Sequence, residues 1–196
     1  MTFRAPPLPT SERAQQTERL IREGASDAGR WAQMDSLATQ WDARAAMAAR
    51  YIPAGQRVLD IGAGAMALGA QLGPGCSYFP ADIVSRGPGC QVVDLNKGEF
   101  PAGQYDWVTF LGVLEYVHEP IPALARARGV APNAIVTYCT MNNGDVQVRR
   151  GMGWVNEYSR PQFEGLLATA GWTVRDVAEV KRGPGNIQLM FVAQAA

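Results

Sequence analysis

Histidine, cysteine and blocks of like charge are all scarce in this chain, and each scarcity closes off a class of chemistry. His118 is the one histidine among 196 residues. Cys76, Cys90 and Cys139 are odd in number, widely spaced and without a Cys-x-x-Cys pair. Neither a disulfide framework nor a zinc site is signalled, no metal is expected, and a reducing cytoplasm is the expected home. Lys and Arg (18) balance Asp and Glu (18), and the only basic clusters are the pairs Arg149-Arg150 and Lys181-Arg182. That pattern gives a polyanion nothing to bind, so nucleic acid is not an expected partner. No apolar run approaches the ~20 residues of a membrane span. The stretch Met1 to Pro9, with one Arg and three prolines, lacks the apolar core of a secretory signal. The expectation is a soluble protein with no membrane association, no internal repeat, and one sizeable core plus an appendage.

What is present is organised around Val58-Leu59-Asp60-Ile61-Gly62-Ala63-Gly64-Ala65-Met66-Ala67-Leu68-Gly69. An apolar run ends on an acid, enters a glycine turn and continues into residues suited to a helix. This reads as strand, tight loop and helix. Glycines let a ligand approach the backbone, and the first turn of a helix offers unpaired N–H groups. Two ligand classes fit. Gly62-x-Gly64-x-x-Ala67, with Asp82 about 20 residues on, satisfies a dinucleotide fingerprint in its Ala variant and points to an NAD(P)-dependent oxidoreductase. Asp60, two residues before the first glycine, instead faces a pyrophosphate badly and suits a ligand carrying an ammonium or sulfonium.

Around this junction the chain reads in order. Residues 1 to 10 form an extended lead, and a helix runs from Ser11 to Arg22, ended by Gly24. A second, longer helix is expected from Ser26 or Asp27 to about Tyr51, where Pro53 stops it. Its apolar stripe is Trp31, Met34, Leu37, Trp41, Ala45 and Ala48. That stripe either packs on the sheet edge or forms part of a lid, with Trp41 and Tyr51 as closing residues. Ala65 to Leu72 is the expected first crossover helix. Cys76 to Ile83 is a second strand, and Gln91 to Asn96 a third, after a connection too short for a helix. Val108 to Leu111, entered from Asp106, is a buried fourth strand, with Gly112 at its carboxyl end. A helix over Ile121 to Arg128 and a fifth strand over Ala134 to Tyr138 follow, then a polar loop to Asp145. The aromatic and basic stretch Val148 to Tyr158 is read either as an acceptor surface or as an ordinary packed connection. Ser159 caps a helix with Pro161 in its first turn, and Trp172 to Val180 pairs antiparallel with Ile187 to Ala193.

Val58 to Gly64 resembles motif I of the class I S-adenosylmethionine (SAM)-dependent methyltransferases, with Met66 where a third glycine is common. Tyr105 to Val117, through Glu119-Pro120, resembles motif IV of the small-molecule branch, with Tyr116 where that branch often has histidine. The flavour is that of small stand-alone enzymes, including those similar to MetW. The resemblance implies an α/β, doubly wound Rossmann-like sheet of seven strands, mostly parallel with an antiparallel last strand. It divides the chain into an N-terminal helical arm over 1–50 and a methyltransferase domain over 51–196. It implies SAM as cofactor, held by Asp60, Gly62, Ala63, Gly64, Asp82, Ile83, Asp94, Leu95, Leu111 and Gly112. Asp82 takes the ribose hydroxyls, Asp94 and Leu95 take the adenine edge, and Asp60 orients the loop and the cofactor's amino group. No Asn/Asp-Pro-Pro-Tyr sequence is present, which removes amino-group methylation of adenine or glutamine. The expected reaction is methyl transfer to a small-molecule or sugar acceptor, O-methylation favoured, with His118, Glu115 and Tyr138 as candidate bases in that order. A protein of the same fold that holds SAM without turnover is the other alternative.

Overall fold

The computed structural model describes residues 10–33, 42–141, 146–183 and 186–196. Its centre is a seven-stranded sheet: β1 (Arg57–Ile61), β2 (Ser77–Asp82), β3 (Gln91–Val92), β4 (Trp107–Leu111), β5 (Asn133–Met141), β6 (Trp172–Gly183) and β7 (Asn186–Ala195). The spatial order is β3-β2-β1-β4-β5-β7-β6. Strands β1 to β5 pair in parallel, and β7 runs antiparallel to both β5 and β6. β1 and β4 are buried along almost their whole length, as strands covered on both faces must be.

Helix α4 (Pro120–Val130) and helix α6 (Arg160–Thr169) cover one face, where Leu124, Phe163 and Leu167 pack against Val136, Tyr138 and Phe191. Trp172 ties these layers together by donating its buried indole N–H to the Leu124 carbonyl at 2.9 Å. On the other face Ala45 and Ala48 of α3 (Asp42–Ala49) join Val58, Leu68, Trp107 and Met190. Helix α1 (Thr10–Glu23) lies against α5 (Val146–Met152), pinned where the Thr17 hydroxyl donates to the Arg150 carbonyl at 2.8 Å.

Four local expectations are corrected. The long helix from residue 26 to 51 is not continuous: α2 (Ala28–Trp31) is a single turn that ends at Ala32. Tertiary contact fixes this turn, because the Trp31 ring packs edge-on to Tyr116, with centroids 4.9 Å apart. Met34, Leu37 and Trp41 lie outside the described residues. The crossover helix over 65–72 reduces to one 3-10 turn, Gly69–Gln71. Met66 stands at φ 57°, a left-handed conformation that breaks an α-helix at its first turn. Tyr51 does not reach the cavity; its hydroxyl donates to Asp176 Oδ2 at 2.6 Å. Strand β5 runs three residues past Tyr138, and the stretch read as a connection contains α5.

The short link to β3 does hold together as a parallel pair without a helix. β3 has two residues and pairs only with Ala81 and Asp82 at the carboxyl end of β2. The chain therefore has to return by only roughly 7 Å, the length of two extended residues.

Candidate active site

Between β1 and β4 the order of connection reverses, since β2 and β3 lie to one side of β1 and β4 to the other. Open α/β sheets bind ligands at such a reversal, beyond the carboxyl ends of the strands. A cavity of about 1190 Å³, including its open mouth, lies there. All ten residues expected to hold a cofactor line it: Asp60, Gly62, Ala63, Gly64, Asp82, Ile83, Asp94, Leu95, Leu111 and Gly112. Met66 does not.

The turn after β1 depends on glycine at Gly62. Its φ is 70°, and a Cβ there would sit 2.3 Å from Val113 Cγ2. Gly112, at φ 76°, leaves room for the guanidinium of Arg44, which a Cβ would meet. Asp60 is buried, with Thr109 Oγ1 donating to Oδ1 at 2.6 Å and Tyr78 Oη donating to Oδ2 at 2.7 Å. Burial pushes its carboxyl up to about 6, against the opposing pull of those two hydrogen bonds and of the Arg44 charge.

Asp82 ends β2. Its Oδ2 accepts the Gly64 N–H at 2.8 Å, and its Oδ1 pairs with Arg86 at 3.2 Å. Asp94 lies just past β3 and caps the 3-10 turn Leu95–Lys97 by accepting the Asn96 N–H at 3.0 Å. Its Oδ1 also accepts from the Ser26 hydroxyl at 2.6 Å, so the arm reaches the site through Ser26. Asn96 extends this network, donating to Ser26 Oγ at 2.8 Å and to the Tyr116 carbonyl at 3.0 Å.

None of the three candidate bases lines the cavity. The Tyr138 hydroxyl is spent: it donates to Asn156 Oδ1 at 2.6 Å and accepts from Arg149 at 3.0 Å and from the Tyr158 N–H at 3.1 Å. Glu115 is buried beneath the turn after β4, where Oε1 accepts the Cys139 N–H at 2.8 Å and Oε2 meets no partner among the described residues. Burial raises its pKa, with Arg44 and Arg149 pulling the other way. His118 Nε2 lies 3.0 Å from the Ala25 carbonyl, a contact that makes Nε2 the protonated nitrogen, and the His118 N–H donates to Asn96. The Tyr138 hydroxyl, one Glu115 oxygen and His118 hold the turn after β4, β5 and the arm together.

Within Val148 to Tyr158, Arg149 is fully buried and structural, donating to the carbonyls of Asn156 and Cys139 and to Tyr138. Asn156 donates to the carbonyls of Leu114 and Val117. Only Gly153 and Val155 of this stretch face the cavity, beside Tyr116, Trp31 and Leu20. Burial raises the Tyr116 phenol, so it stays protonated at neutral pH, and it accepts the Trp154 indole N–H at 3.2 Å. Sequence reasoning missed Arg44, Arg86, Ser26 and Tyr116 as cavity residues. Arg44 left one trace, a charge one turn before Ala48 on a face otherwise apolar. Ser26 and Arg86 reach the cavity from loops and Tyr116 from the 3-10 turn Leu114–Tyr116, none with a periodic signal.

Three acids at or just past the ends of successive strands, around a glycine turn, mark an open-sheet domain of the methyltransferase type. A family profile described as a methyltransferase domain matches residues 30–177, about three quarters of the sequence. The chain belongs to that family. The match is to the domain as a whole and does not single out the MetW-like branch. Among curated proteins, none matches the sequence. Solved structures share the fold. The mitomycin 7-O-methyltransferase MmcR is 17% identical with a TM-score of 0.69, over 96% of this chain and 69% of that one. The 1,6-didemethyltoxoflavin-N1-methyltransferase of Burkholderia thailandensis, solved with its substrate and S-adenosylhomocysteine, is 19% identical with a TM-score of 0.61, over 100% of this chain and 93% of that one. The [4+2]-cyclase SpnF is similar as well, at 15% identity and a TM-score of 0.60, over 79% of this chain and 80% of that one.

Proposed function

We propose that this chain is a SAM-dependent methyltransferase of a small-molecule acceptor, with transfer to oxygen favoured. The observation that carries the reading is the convergence of Asp60, Asp82 and Asp94 on one cavity beside Gly62 and Gly64. Their chemistry fits a cationic thioether nucleoside: an anion near the ammonium, an acceptor for the ribose hydroxyls and an acceptor for the adenine amino group. The dinucleotide alternative is disfavoured by the same turn. A pyrophosphate needs the open N-terminus of a helix, and here only the three-residue turn Gly69–Gln71 follows, while the Gly64 N–H is already given to Asp82.

Held by Asp60, Asp82 and Asp94, SAM would supply a sulfonium methyl for in-line attack by the acceptor atom. Positioning supplies most of the acceleration. Leu20, Trp31, Tyr116 and Val155 give the acceptor apolar and aromatic walls, and Tyr116 offers a hydroxyl that donates. With Glu115, Tyr138 and His118 all outside the cavity, the acceptor that fits is one that ionises by itself, such as an acidic phenol, an enol or a carboxylic acid. Ser26 and Trp31, from the described part of the arm, cover the site and act as a fixed lid.

Equilibrium binding tests the cofactor: micromolar affinity for S-adenosylhomocysteine with no response to NAD(P) is expected, and the reverse pattern rejects the reading. Transfer of label from methyl-labelled SAM into a metabolite extract tests turnover. Bound cofactor with no transferred label favours a SAM-holding protein without methyl transfer, a reading that the unavailability of the candidate bases keeps in play.

A further inference from the structure

The loop that replaces the second crossover helix carries Arg86, which lines the cavity and is as deeply buried as the acid it pairs with. The side chains of Arg86 and Asp82 expose 4% and 6% of their surfaces, and one guanidinium nitrogen stands 3.2 Å from Asp82 Oδ1. Another donor of the same guanidinium is idle: Nε is buried without a hydrogen-bond partner among the described residues. A buried N–H with nothing to bond is unfavourable, and the deficit disappears if a ligand supplies an acceptor. Asp82 is itself only partly engaged, by the Gly64 N–H at 2.8 Å, the Val84 N–H at 3.4 Å and Arg86. An ionised carboxylate has about four acceptor sites, so it retains capacity for a further donor.

A carboxylate that still accepts, next to an N–H that still donates, is the complement of a hydroxyl group, which does both. We infer that Arg86 and Asp82 act as one reader of the nucleoside's sugar: Asp82 accepts a hydrogen bond from a hydroxyl of the vicinal diol while Arg86 Nε donates to a hydroxyl oxygen. This rests on the SAM-binding reading and goes further, making Arg86 a residue that selects a ribose over sugars lacking one hydroxyl. The pair is pre-formed because the loop is short. Arg86 lies four positions after Asp82, and the loop reaches β3 by Gln91.

The test measures dissociation constants of S-adenosylhomocysteine, adenosine, 2′-deoxyadenosine, 3′-deoxyadenosine and adenosine 2′-phosphate, by calorimetry, on wild type, R86A and R86K. Wild type is expected to prefer adenosine over at least one deoxy analogue by tenfold or more. R86A is expected to bind S-adenosylhomocysteine at least tenfold more weakly and to lose most of that preference. R86K, which keeps the charge but lacks Nε and the planar fork, is expected to recover binding only in part and the preference not at all. The preference is a ratio within one variant, so partial unfolding of R86A does not imitate it. Tighter binding by R86A would show Arg86 to be a latch that competes with the ribose and would overturn the proposal. So would an unchanged preference, or adenosine 2′-phosphate binding wild type better than adenosine. If wild type binds S-adenosylhomocysteine and R86A matches it, only the role of Arg86 falls; if wild type binds none of the adenosine compounds, the cofactor reading falls first and takes this proposal with it.

Discussion

Replacing Asp60 by Asn should make the protein more stable and less able to bind its cofactor. Asp60 sits near the carboxyl end of β1, buried, and burial lifts its carboxyl from an ordinary 3.8 to about 6. Between those two values the folded protein holds a proton that the unfolded chain has released. This group's contribution to stability therefore falls as pH rises from about 4 to 6, by up to 1.4 kcal/mol per pH unit, and is flat above. The total, a rise of about two units, corresponds to about 3 kcal/mol of destabilisation at neutral pH. Asn carries no charge to bury, has nearly the same shape, and can accept from Thr109 and donate to Tyr78, whose hydroxyl turns to receive it. Urea unfolding of wild type and D60N at pH 4, 5, 6 and 7 should give curves that converge at pH 4 and separate by up to about 3 kcal/mol at pH 7, with D60N the more stable. Binding should move the other way. S-adenosylhomocysteine carries an ammonium that favours the ionised carboxylate, so wild-type affinity should fall about tenfold from pH 7 to pH 5, as the ionised fraction does. D60N should bind weakly with no such dependence. Parallel stability curves for the two proteins from pH 4 to 7 would refute the reasoning, because they would mean that Asp60 carries no strained charge.

Other substitutions separate structural from functional roles. Gly62→Ala places a Cβ against Val113 at a positive φ, and should cost about 1–3 kcal/mol in chemical denaturation and abolish S-adenosylhomocysteine binding. Tyr138→Phe removes the partner of Asn156, Arg149 and the Tyr158 N–H; it should cost about 1–3 kcal/mol in stability yet leave cofactor affinity within twofold. A Y138F protein of unchanged stability with lost transfer would instead give the phenol a catalytic role. His118→Ala loosens the arm at Ala25 and should lower stability by about 0.5–1.5 kcal/mol while transfer under saturating SAM persists. A hundredfold or greater loss of label transfer in H118A at full cofactor occupancy would show that His118 is a base after all.

Much of this protein follows from local patterns, and the reason is that local patterns carry strand and turn chemistry. Val58 to Gly64 and Val108 to Gly112 each end a buried strand on a glycine whose positive φ no larger residue tolerates easily. The acids at Asp60, Asp82 and Asp94 fall at strand ends because an α/β sheet alternates strand and connection at near-regular spacing. Those features made the parallel strands and the ten residues that line the cavity legible. Tertiary structure alone decided what the remaining side chains do. Glu115 and His118 stand in the motif after the fourth strand and Tyr138 on the fifth, but whether a side chain faces a cavity or a neighbour depends on partners far away in sequence: Cys139, Asn156 and Ala25. Arg86 and Ser26 enter the site through loops, where no period of 2 or 3.6 marks which way a residue points. A left-handed Met66 likewise removed a helix that composition favoured, because backbone conformation at a turn is set by how the turn closes on its neighbours, not by the helix propensity of the residues within it.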